Sequence, residues 1–479
     1  METPNNAFHT KEERLKQLKF NNRKSTIRRL ESIAETVAFA LLYYLMWILF
    51  YKGEMNPYLG KGKFILLGIY IVLLYLIFSL NDAFEFGHLK ASEVAASQSI
   101  SLFFVNFITY FQLCLMANHM LNVLPTIGLL IIELATGVFC VYLFTAIYHQ
   151  NNVPQNMLLI YGNENAVTLK FKMDTRADKY RVTKVMHINE GRDAILDAML
   201  KHDSVILNDI PAELRNDILK GCYKRGIRTY VVPKVSDIIC RGAEDITLFD
   251  TPLMLVRGRG FSPMHRLIKR AIDIVLCSIA MVFFIPIYVV VAICIKAEDR
   301  GPIFYKQKRI TINEKEFNIL KFRSMVVDAE KGSYNLNMRA TDKDPRITKV
   351  GAVIRRIRID ELPQILNILK GDMSIVGPRA ERVENHTEYC HLIPEFVYRT
   401  KVKAGLTGYA QVYGKYNTSA YDKLRLDMKY IEEGSIFTDI KIIFMTVQVL
   451  FRPESTEGFD KAEELEALKR ELLDKENEL

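Results

Sequence analysis

IDELPQILNILKGDMSIVGPR, residues 359–379, is the stretch that most strongly constrains the interpretation of this 479-residue chain. Asp360, Glu361 and Pro363 are together typical of a helix start. An acid can cap the free amides, a second acid suits the first turn, and proline needs no amide partner there. Taken alone, the pattern predicts only that a helix begins at Asp360.

The arginines around this stretch add a chemical prediction. Arg355, Arg356 and Arg358 precede the two acids. Arg379 follows them in a Gly-Pro-Arg turn. Carboxylates among guanidinium groups stay ionised and can hold a hard cation through oxygen ligands. One carboxylate can then attack phosphorus while the other helps to place Mg²⁺, and the arginines neutralise the phosphate oxygens. The pattern therefore predicts a site for a phosphorylated substrate.

The composition is typical of a membrane protein that also carries aqueous domains. Charged residues are 25% and hydrophobic residues 49% of the chain, which excludes intrinsic disorder and an entirely membrane-embedded protein. Apolar runs that suit membrane spans occupy residues 36–51, 64–80, 94–118 and 126–148. Glu133 is the only charge well inside them. These runs predict a bundle of four transmembrane helices within residues 34–150.

The charge distribution predicts the orientation of these helices. Residues 1–33 form a basic segment directly before the first apolar run, and the net charge of the chain is +9. Basic residues that flank hydrophobic spans face the cytoplasm and anionic headgroups. We therefore expect a multi-pass protein of the cytoplasmic (inner) membrane with cytoplasmic soluble domains. The lipid bilayer, rather than nucleic acid, is the expected partner of the basic segments.

Residues 151–256 predict a small α/β domain. Apolar strands at 157–161, 204–207 and 227–232 alternate with helices at 191–201 and 211–225. The turn after the first strand has one glycine, Gly162, where a dinucleotide fingerprint needs three. We therefore interpret the domain as Rossmann-like but degenerate, without a bound nucleotide.

A fifth apolar segment, within residues 264–297, follows the basic pair Lys269 and Arg270, which we expect to face the lipid headgroups. Pro286 lies just past its middle and predicts a sharp bend between two half-helices. Composition alone favours a kinked helix that spans the membrane. Topology favours a re-entrant helix, because a spanning helix would carry the basic region that follows to the outside.

Two soluble segments complete the chain. Residues 298–458 predict an α/β catalytic domain, and the charges at Asp439 and Lys441 argue against a membrane span in its last apolar run. Residues 459–479 are highly charged, with leucines on one helical face, and predict a solvated helix that could serve self-association.

Six ordered blocks of the sequence resemble the bacterial sugar transferase family, the polyprenyl-phosphate hexose-1-phosphate transferases of exopolysaccharide and capsule assembly. The blocks are KRAIDIVLCSIAMVFFIPI (269–287), GPIFYKQKRI (301–310), KFRSM (321–325), DPRITKVG (344–351), IDELPQILNILKGDMSIVGPR (359–379) and KAGLTGYAQVYGKYNTSAYDKLRLDMKYI (403–431). The preceding four spans and degenerate nucleotide fold are similar to the long form of the family.

The resemblance implies a two-step transfer. Asp360 would attack the sugar-linked phosphate of a UDP-sugar, and undecaprenyl phosphate would then take the phosphosugar from Asp360. Glu361 would position Mg²⁺, Arg379 would contact the donor phosphate, and Arg355 would contact the lipid phosphate. The fifth apolar segment would be a re-entrant helix broken at Pro286. The resemblance does not name the sugar.

The KFRSM block leaves two interpretations open: Lys321 and Arg323 alternate with apolar residues as on an edge strand, so each could contact substrate or serve the fold. The sequence also departs from the family pattern at Ile285, Thr311 to Lys315, Arg358 and Ala380, which affects the expected nucleotide pocket rather than the reaction. The alternatives to an enzyme are a polytopic transporter and a membrane scaffold. A transporter usually places more charges inside its spans, and the intact acid pair and Gly-Pro-Arg turn argue against a scaffold.

Overall fold

The computed structural model describes residues 11–54, 62–151, 154–163, 165–258, 260–327, 344, 346–414 and 418–450. The predicted charged helix at 459–479 lies outside the described residues. The described chain forms two compact units that divide between Pro233 and Lys234. Residues 234–256 follow this boundary and belong to the second unit, although they fall within the predicted 151–256 domain.

The first unit begins with four long apolar helices. These are α1 (Lys11–Met46), which continues as a π-helical turn (Trp47–Tyr51), α2 (Gly62–Leu80), α3 (Ala91–Ala117) and α4 (Leu124–Asn151). Each contains a segment long and apolar enough to cross a membrane, as the sequence predicts. α1 packs against α2 and α4, and α3 packs against the same two helices. The rings of Tyr43 and Tyr70 stack between α1 and α2, with centroids 4.2 Å apart.

Acidic side chains are buried among these helices. Glu133 is 0% exposed and accepts hydrogen bonds of 2.6 Å from the Tyr70 hydroxyl and from Asn106 Nδ2. Glu31 and Glu35 lie within the first candidate span, at residues 26–51, and are also buried. The prediction that Glu133 is the only charge inside a span is therefore wrong. Helix α1 begins before the uncharged run that defines its predicted span. The turns before that run therefore also belong to the helix, and their two acids are buried against the neighbouring helices.

A four-stranded parallel sheet follows the apolar helices in the first unit. Its strands have the order β2-β1-β3-β4. In chain order the elements are β1 (Gln155–Tyr161), α5 (Asn165–Asp174), β2 (Tyr180–His187), α6 (Arg192–Leu200), β3 (Ser204–Asn208), α7 (Ala212–Arg225) and β4 (Arg228–Val231). The central strands β1 and β3 are continuous apolar runs because helices cover both faces of such a sheet. Strand β2 mixes polar and apolar residues and was not predicted.

The second unit is α/β and contains three two-stranded sheets, β5–β6, β7–β8 and β9–β10, among its described residues. Its elements are α8 (Val235–Arg241), β5 (Glu244–Leu248), β6 (Thr251–Leu255), α9 (Pro263–Asp299), β7 (Phe304–Ile310), β8 (Glu316–Phe322), α10 (Lys349–Arg356), α11 (Gln364–Lys370), β9 (Ser374–Val376), α12 (Val383–Leu392), β10 (Gly405–Thr407), α13 (Tyr409–Tyr413), α14 (Ala420–Glu433) and α15 (Ile436–Leu450).

Helix α9 is the fifth helix that is long and apolar enough to cross a membrane. It runs unbroken through Pro286, whereas the sequence predicts two half-helices. Proline removes a single amide donor, and the apolar turns on either side keep their own hydrogen bonds. The prediction of two separate half-helices is thus not met.

One side of α9 packs against the rest of the second unit on both sides of Pro286. Before the proline, Cys277 belongs to a buried cluster that contains Ile365 and Phe317. After it, Val291 and Ile295 belong to a cluster that contains Phe322 and Ile354. The other side exposes large apolar residues, which include Val275, Ile279, Val282, Phe283, Val289, Val290 and Ile293. The helix is therefore part of the core of the second unit along most of its length.

Candidate active site

The acid pair lies in a tight turn directly before α11. Residues Ile359–Glu361 form one turn of 3₁₀-helix, and Arg358 precedes it in the left-handed conformation with φ 59°. The α-helix itself starts at Gln364, after Pro363. The prediction that Asp360 caps an α-helix is therefore wrong, because the reversal at Arg358 places both acids inside the 3₁₀ turn. As a result, both carboxyl groups lie among several basic side chains.

Glu361 is held by two basic residues. Lys321 Nζ lies 2.6 Å from its Oε1, and Nη2 of Arg379 lies 3.9 Å from the same oxygen. Burial alone would raise the pKa of Glu361, but the charges of Lys321 and Arg379, the Lys321 hydrogen bond and the charge of Arg358 lower it to about 2. Glu361 is therefore ionised at any physiological pH.

Asp360 differs from its neighbour. Its carboxylate accepts no hydrogen bond from the residues that the structure describes, and it is only partly exposed. Burial, followed by the charge of Glu361, raises the pKa of Asp360, while the charges of Lys321, Arg355 and Arg358 oppose the rise. Asp360 is thus the carboxylate without a direct partner, which is the state that a nucleophile requires.

Lys321 lies on β8, the second strand of the β7–β8 hairpin. Asn367 of α11 holds this strand in place through two hydrogen bonds to its backbone. Asn367 is buried; its Nδ2 donates to the Asn318 carbonyl, and its Oδ1 accepts from the Leu320 amide, each at 2.9 Å. Both partners belong to β8. Because Lys321 directly follows Leu320, this side chain sets the position of the strand residue that reaches Glu361.

Two guanidinium groups donate hydrogen bonds to the backbone of the Gly-Pro-Arg turn. Arg309 Nη1 donates to the Ala380 carbonyl at 3.0 Å, and Arg399 Nη2 donates to the Arg379 carbonyl at 3.2 Å. Arg399 is itself held by Asp427, with 2.6 Å between Nε and Oδ2. A β-carbon on Gly377 would lie 2.4 Å from the Lys403 carbonyl, so only glycine fits there. These contacts hold the backbone of the turn, while the Arg379 side chain stays half exposed.

The other predicted site residues occupy different surroundings. Arg323 is buried and pairs with Asp299 at the end of α9, so its guanidinium contacts that helix rather than the acid pair. Lys269 is buried, with Nζ 2.6 Å from an Asp439 oxygen. Arg270 donates to the Ile368 and Leu369 carbonyls at the end of α11. The structure therefore brings Lys321, Glu361 and Arg379 together, with Arg355 close enough to affect Asp360.

Several residues of this site were not predicted from the sequence. Arg358 was predicted only as one of several arginines around the acid pair, without a role of its own, yet its charge acts on both carboxylates. Asn367 falls within the quoted motif, but an asparagine inside a helix gives no signal of its own. Arg309 and Tyr288 could not be assigned because their partners, Ala380 and Leu362, are 71 and 74 residues away.

The donor set suits a hard divalent cation. Lys321 and Arg379 both approach Oε1 of Glu361, which leaves Oε2 and the two Asp360 oxygens as carboxylate donors in the described part of the chain. Mg²⁺ prefers oxygen ligands and is usually held by one or two carboxylates together with substrate phosphates and water. The residues therefore fit a Mg²⁺ ion that the substrate would help to bind.

Five helices long and apolar enough to cross a membrane indicate a membrane protein, and its α/β unit carries a carboxylate pair among basic groups. A sequence model of the bacterial sugar transferase family matches residues 264–453, which include all of α9 except its first residue and the whole site. The chain belongs to this family, since relatives more than 30% identical include proteins that it covers over most of their length.

Three relatives illustrate the match. UDP-glucose:undecaprenyl-phosphate glucose-1-phosphate transferase of Escherichia coli is 40% identical over 212 residues, 43% of each chain. UDP-N-acetylgalactosamine-undecaprenyl-phosphate N-acetylgalactosaminephosphotransferase of Aeromonas hydrophila is 35% identical over 262 residues, 52% of this chain and 59% of the relative. Exopolysaccharide production protein ExoY of Rhizobium meliloti is 37% identical over 200 residues, 39% of this chain and 86% of the relative. The chain spans about half the length of the first two.

Proposed function

We propose that this protein transfers a hexose-1-phosphate from a UDP-sugar to undecaprenyl phosphate, the first membrane step of exopolysaccharide or capsule synthesis. The observation that carries the proposal is the unequal acid pair: Asp360 has no direct partner among the described residues, whereas Glu361 is held by Lys321. The names of the relatives support the substrate classes. They name different sugars, glucose and N-acetylgalactosamine.

In the first step, an Asp360 oxygen attacks the phosphorus next to the sugar. The bond from this phosphorus to the bridging oxygen breaks, UMP leaves with that oxygen, and an aspartyl phosphosugar forms. Arg379, half exposed and close to Glu361, is placed to neutralise the attacked phosphate. Without such cations an anionic nucleophile would be repelled by the diphosphate.

In the second step, an oxygen of undecaprenyl phosphate attacks the same phosphorus. The bond between Asp360 and phosphorus breaks, the carboxylate is restored, and a polyprenyl diphosphosugar is released. Arg355, at the end of α10 and close enough to act on Asp360, is placed to bind the lipid phosphate. Mg²⁺, held by Glu361 and substrate phosphate, would supply charge neutralisation at the reacting phosphate.

The membrane arrangement is part of the proposal. We infer that both ends of α9 stay on the same side of the membrane, because residues before and after Pro286 pack in the same soluble unit. A straight spanning helix would separate its ends by the thickness of the bilayer. The basic segment at residues 1–33, followed by a bundle of four membrane-spanning helices, supports a catalytic unit on the cytoplasmic side of the inner membrane. Self-association stays a prediction.

The experiment is a release assay on the full chain in detergent. A panel of UDP-sugars is incubated with Mg²⁺ and undecaprenyl phosphate, and UMP is measured for the wild type, Asp360→Asn and the control Asp250→Asn, which changes an exposed aspartate. We expect Mg²⁺-dependent release that is lost only in Asp360→Asn. A folded wild type that releases no UMP from any UDP-sugar would contradict the proposal and favour a transporter or scaffold.

A further inference from the structure

The last two residues of helix α9 are acidic, although the end of a helix disfavours negative charge. Glu298 and Asp299 end the helix, where the unpaired carbonyl groups carry a partial negative charge. Asp299 pairs with Arg323 and accepts a hydrogen bond of 3.1 Å from the Gly301 amide. These contacts explain the position of Asp299. Glu298 has its partners on a different helix.

The carboxylate of Glu298 binds the start of α10. Its Oε1 accepts a hydrogen bond from the Lys349 amide at 2.7 Å, and its Oε2 accepts one from the Val350 amide at 3.3 Å. Lys349 and Val350 are the first two residues of α10, so their amides have no acceptor inside the helix. The positive end of the α10 dipole favours an acid at this place. The start of α10, rather than the stability of α9, therefore accounts for Glu298.

Helix α10 has only eight residues, and so short a helix depends on its caps and its packing. Thr348 Oγ1 accepts from the Gly351 amide at 2.9 Å and supplies a second cap. The Thr348 amide donates to the Ser324 carbonyl at 3.1 Å, and a β-carbon on Gly351 would overlap that carbonyl. Near the other end of α10, Ile354 belongs to a buried cluster with residues of α9. Helix α9 thus holds α10 at both ends, through Glu298 and through Ile354.

Arg355 lies in the last turn of α10, six residues after Lys349. The helix rises about 9 Å over this distance, so a tilt at its start changes the direction of its last turn. Arg355 forms no ion pair with the residues that the structure describes, and its charge acts on Asp360. Because no carboxylate fixes the guanidinium group, its position follows the position of α10.

We propose that Glu298 is a positioning residue for the transfer to undecaprenyl phosphate: it fixes the start of α10 and thereby directs Arg355 towards the lipid phosphate. This inference rests on the proposed function, in which Arg355 binds that phosphate. The lipid substrate approaches from the membrane, and α9 is long and apolar enough to cross it. Glu298 therefore connects the membrane helix with the residue that binds the membrane substrate.

The two-step reaction makes this role measurable. In such a ping-pong reaction, kcat/KM for each substrate reports only the half-reaction in which that substrate takes part. Among the described residues, the hydrogen-bond partners of Glu298 belong to α10 and not to the acid turn. Glu298 should therefore govern kcat/KM for undecaprenyl phosphate and have little influence on kcat/KM for the UDP-sugar.

The test is steady-state UMP release by the full chain in detergent, with each substrate varied in turn on the plateau of the pH–rate profile. We expect Glu298→Ala to lower kcat/KM for undecaprenyl phosphate about fivefold, the effect of one lost helix cap, and to leave kcat/KM for the UDP-sugar unchanged. Glu298→Gln keeps one acceptor oxygen, so it should show a smaller loss, and it serves if Glu298→Ala does not fold. A variant that has merely lost structure would lower both values together.

Two further variants test whether Glu298 acts through Arg355. Arg355→Gln should lower kcat/KM for undecaprenyl phosphate, and addition of Glu298→Ala to it should cause no further loss, because the positioned charge is already gone. The matched control is Glu433→Ala, which removes a partly exposed glutamate from the last residue of α14 in the same unit. This control should leave both values unchanged.

The outcomes separate the positioning role from the proposed function. If the wild type releases UMP but Glu298→Ala keeps the wild-type kcat/KM for undecaprenyl phosphate, or loses both values equally, the positioning role is wrong and the function stands. The same conclusion holds if Glu298→Ala and Arg355→Gln reduce kcat/KM independently of each other. If the folded wild type releases no UMP from any UDP-sugar, the proposed function is wrong and the positioning role falls with it.

Discussion

Tyr288 on helix α9 donates a hydrogen bond of 2.6 Å to the carbonyl of Leu362, the residue that directly follows the Asp360–Glu361 pair. Tyr288 lies two residues after Pro286, within a helix that is long and apolar enough to cross a membrane. Its ring also packs against Phe322 of β8, with centroids 5.1 Å apart. One side chain of the apolar helix thus contacts both the acid turn and the strand that carries Lys321.

We expect Tyr288→Phe to lower kcat several-fold and to leave the KM for the UDP-sugar nearly unchanged. The ring and its packing remain, but the Leu362 carbonyl loses a hydrogen bond worth about 1 kcal/mol, so the acid turn is held less firmly. The measurement is steady-state UMP release in detergent. Tyr223→Phe, which removes the hydroxyl of an exposed tyrosine, is the control. An unchanged kcat in Tyr288→Phe would contradict this role.

Lys321→Met should move the acid limb of the pH–rate profile to higher pH. The Lys321 charge lowers the pKa of both Glu361 and Asp360, so its removal raises both values. At a given acidic pH, a larger fraction of the carboxylates is then protonated and inactive. The control is Lys306→Met, an exposed lysine of β7 that lies opposite Leu320. If both variants keep the wild-type acid limb, Lys321 does not set the ionisation of the pair.

Arg358→Asn should separate the charge of Arg358 from its backbone conformation. Asparagine tolerates the left-handed region better than most residues, so we expect an unchanged or slightly higher melting temperature. The lost charge should raise the KM for the UDP-sugar about tenfold, the effect of one charge-assisted contact. Arg358→Ala loses the same charge and should also lower the melting temperature. A wild-type KM in both variants would show that Arg358 serves only the turn.

Arg399→Met should destabilise the second unit strongly. Arg399 and Asp427 are 5% and 1% exposed, and removal of one member of a buried ion pair costs about 3–5 kcal/mol because the other charge stays buried. We expect a clear fall in the melting temperature and reduced activity, since Arg399 also supports the Arg379 carbonyl. The double variant Arg399→Met/Asp427→Leu should recover most of the melting temperature. If the melting temperature does not recover in the double variant, the uncompensated charge of Asp427 is not the cause of the destabilisation.

The sequence was sufficient for features that depend on nearby residues. The apolar runs predicted the four N-terminal helices, and the short strands predicted three of the four strands of the parallel sheet. Asp360, Glu361 and Arg379 could be selected because they share one motif, and Arg355 because it closely precedes that motif. Glu35 was missed because an acid can be buried between helices when a neighbouring helix supplies a hydrogen-bond partner. Here that partner is Gln98.

Features that depend on long-range register could not be predicted. The contact between Lys321 and Glu361 joins residues 40 positions apart and requires the clamp by Asn367. Arg309 meets Arg382 only because the end of β7 pairs with the chain after the Gly-Pro-Arg turn. The 3₁₀ turn at the acid pair depends on the backbone reversal at Arg358, an unusual conformation for a residue with a β-carbon.

The inner side of α9 also bears on how the protein can be handled. Cys277, Val291 and Ile295 complete apolar clusters of the soluble unit, while the outer side of the same helix exposes a continuous apolar surface. The second unit therefore cannot release its membrane anchor and keep an intact interior. Extraction of the second unit into water without detergent should therefore also unfold it. A shorter protein that lacks the residues before 234 should still require a lipid or detergent environment.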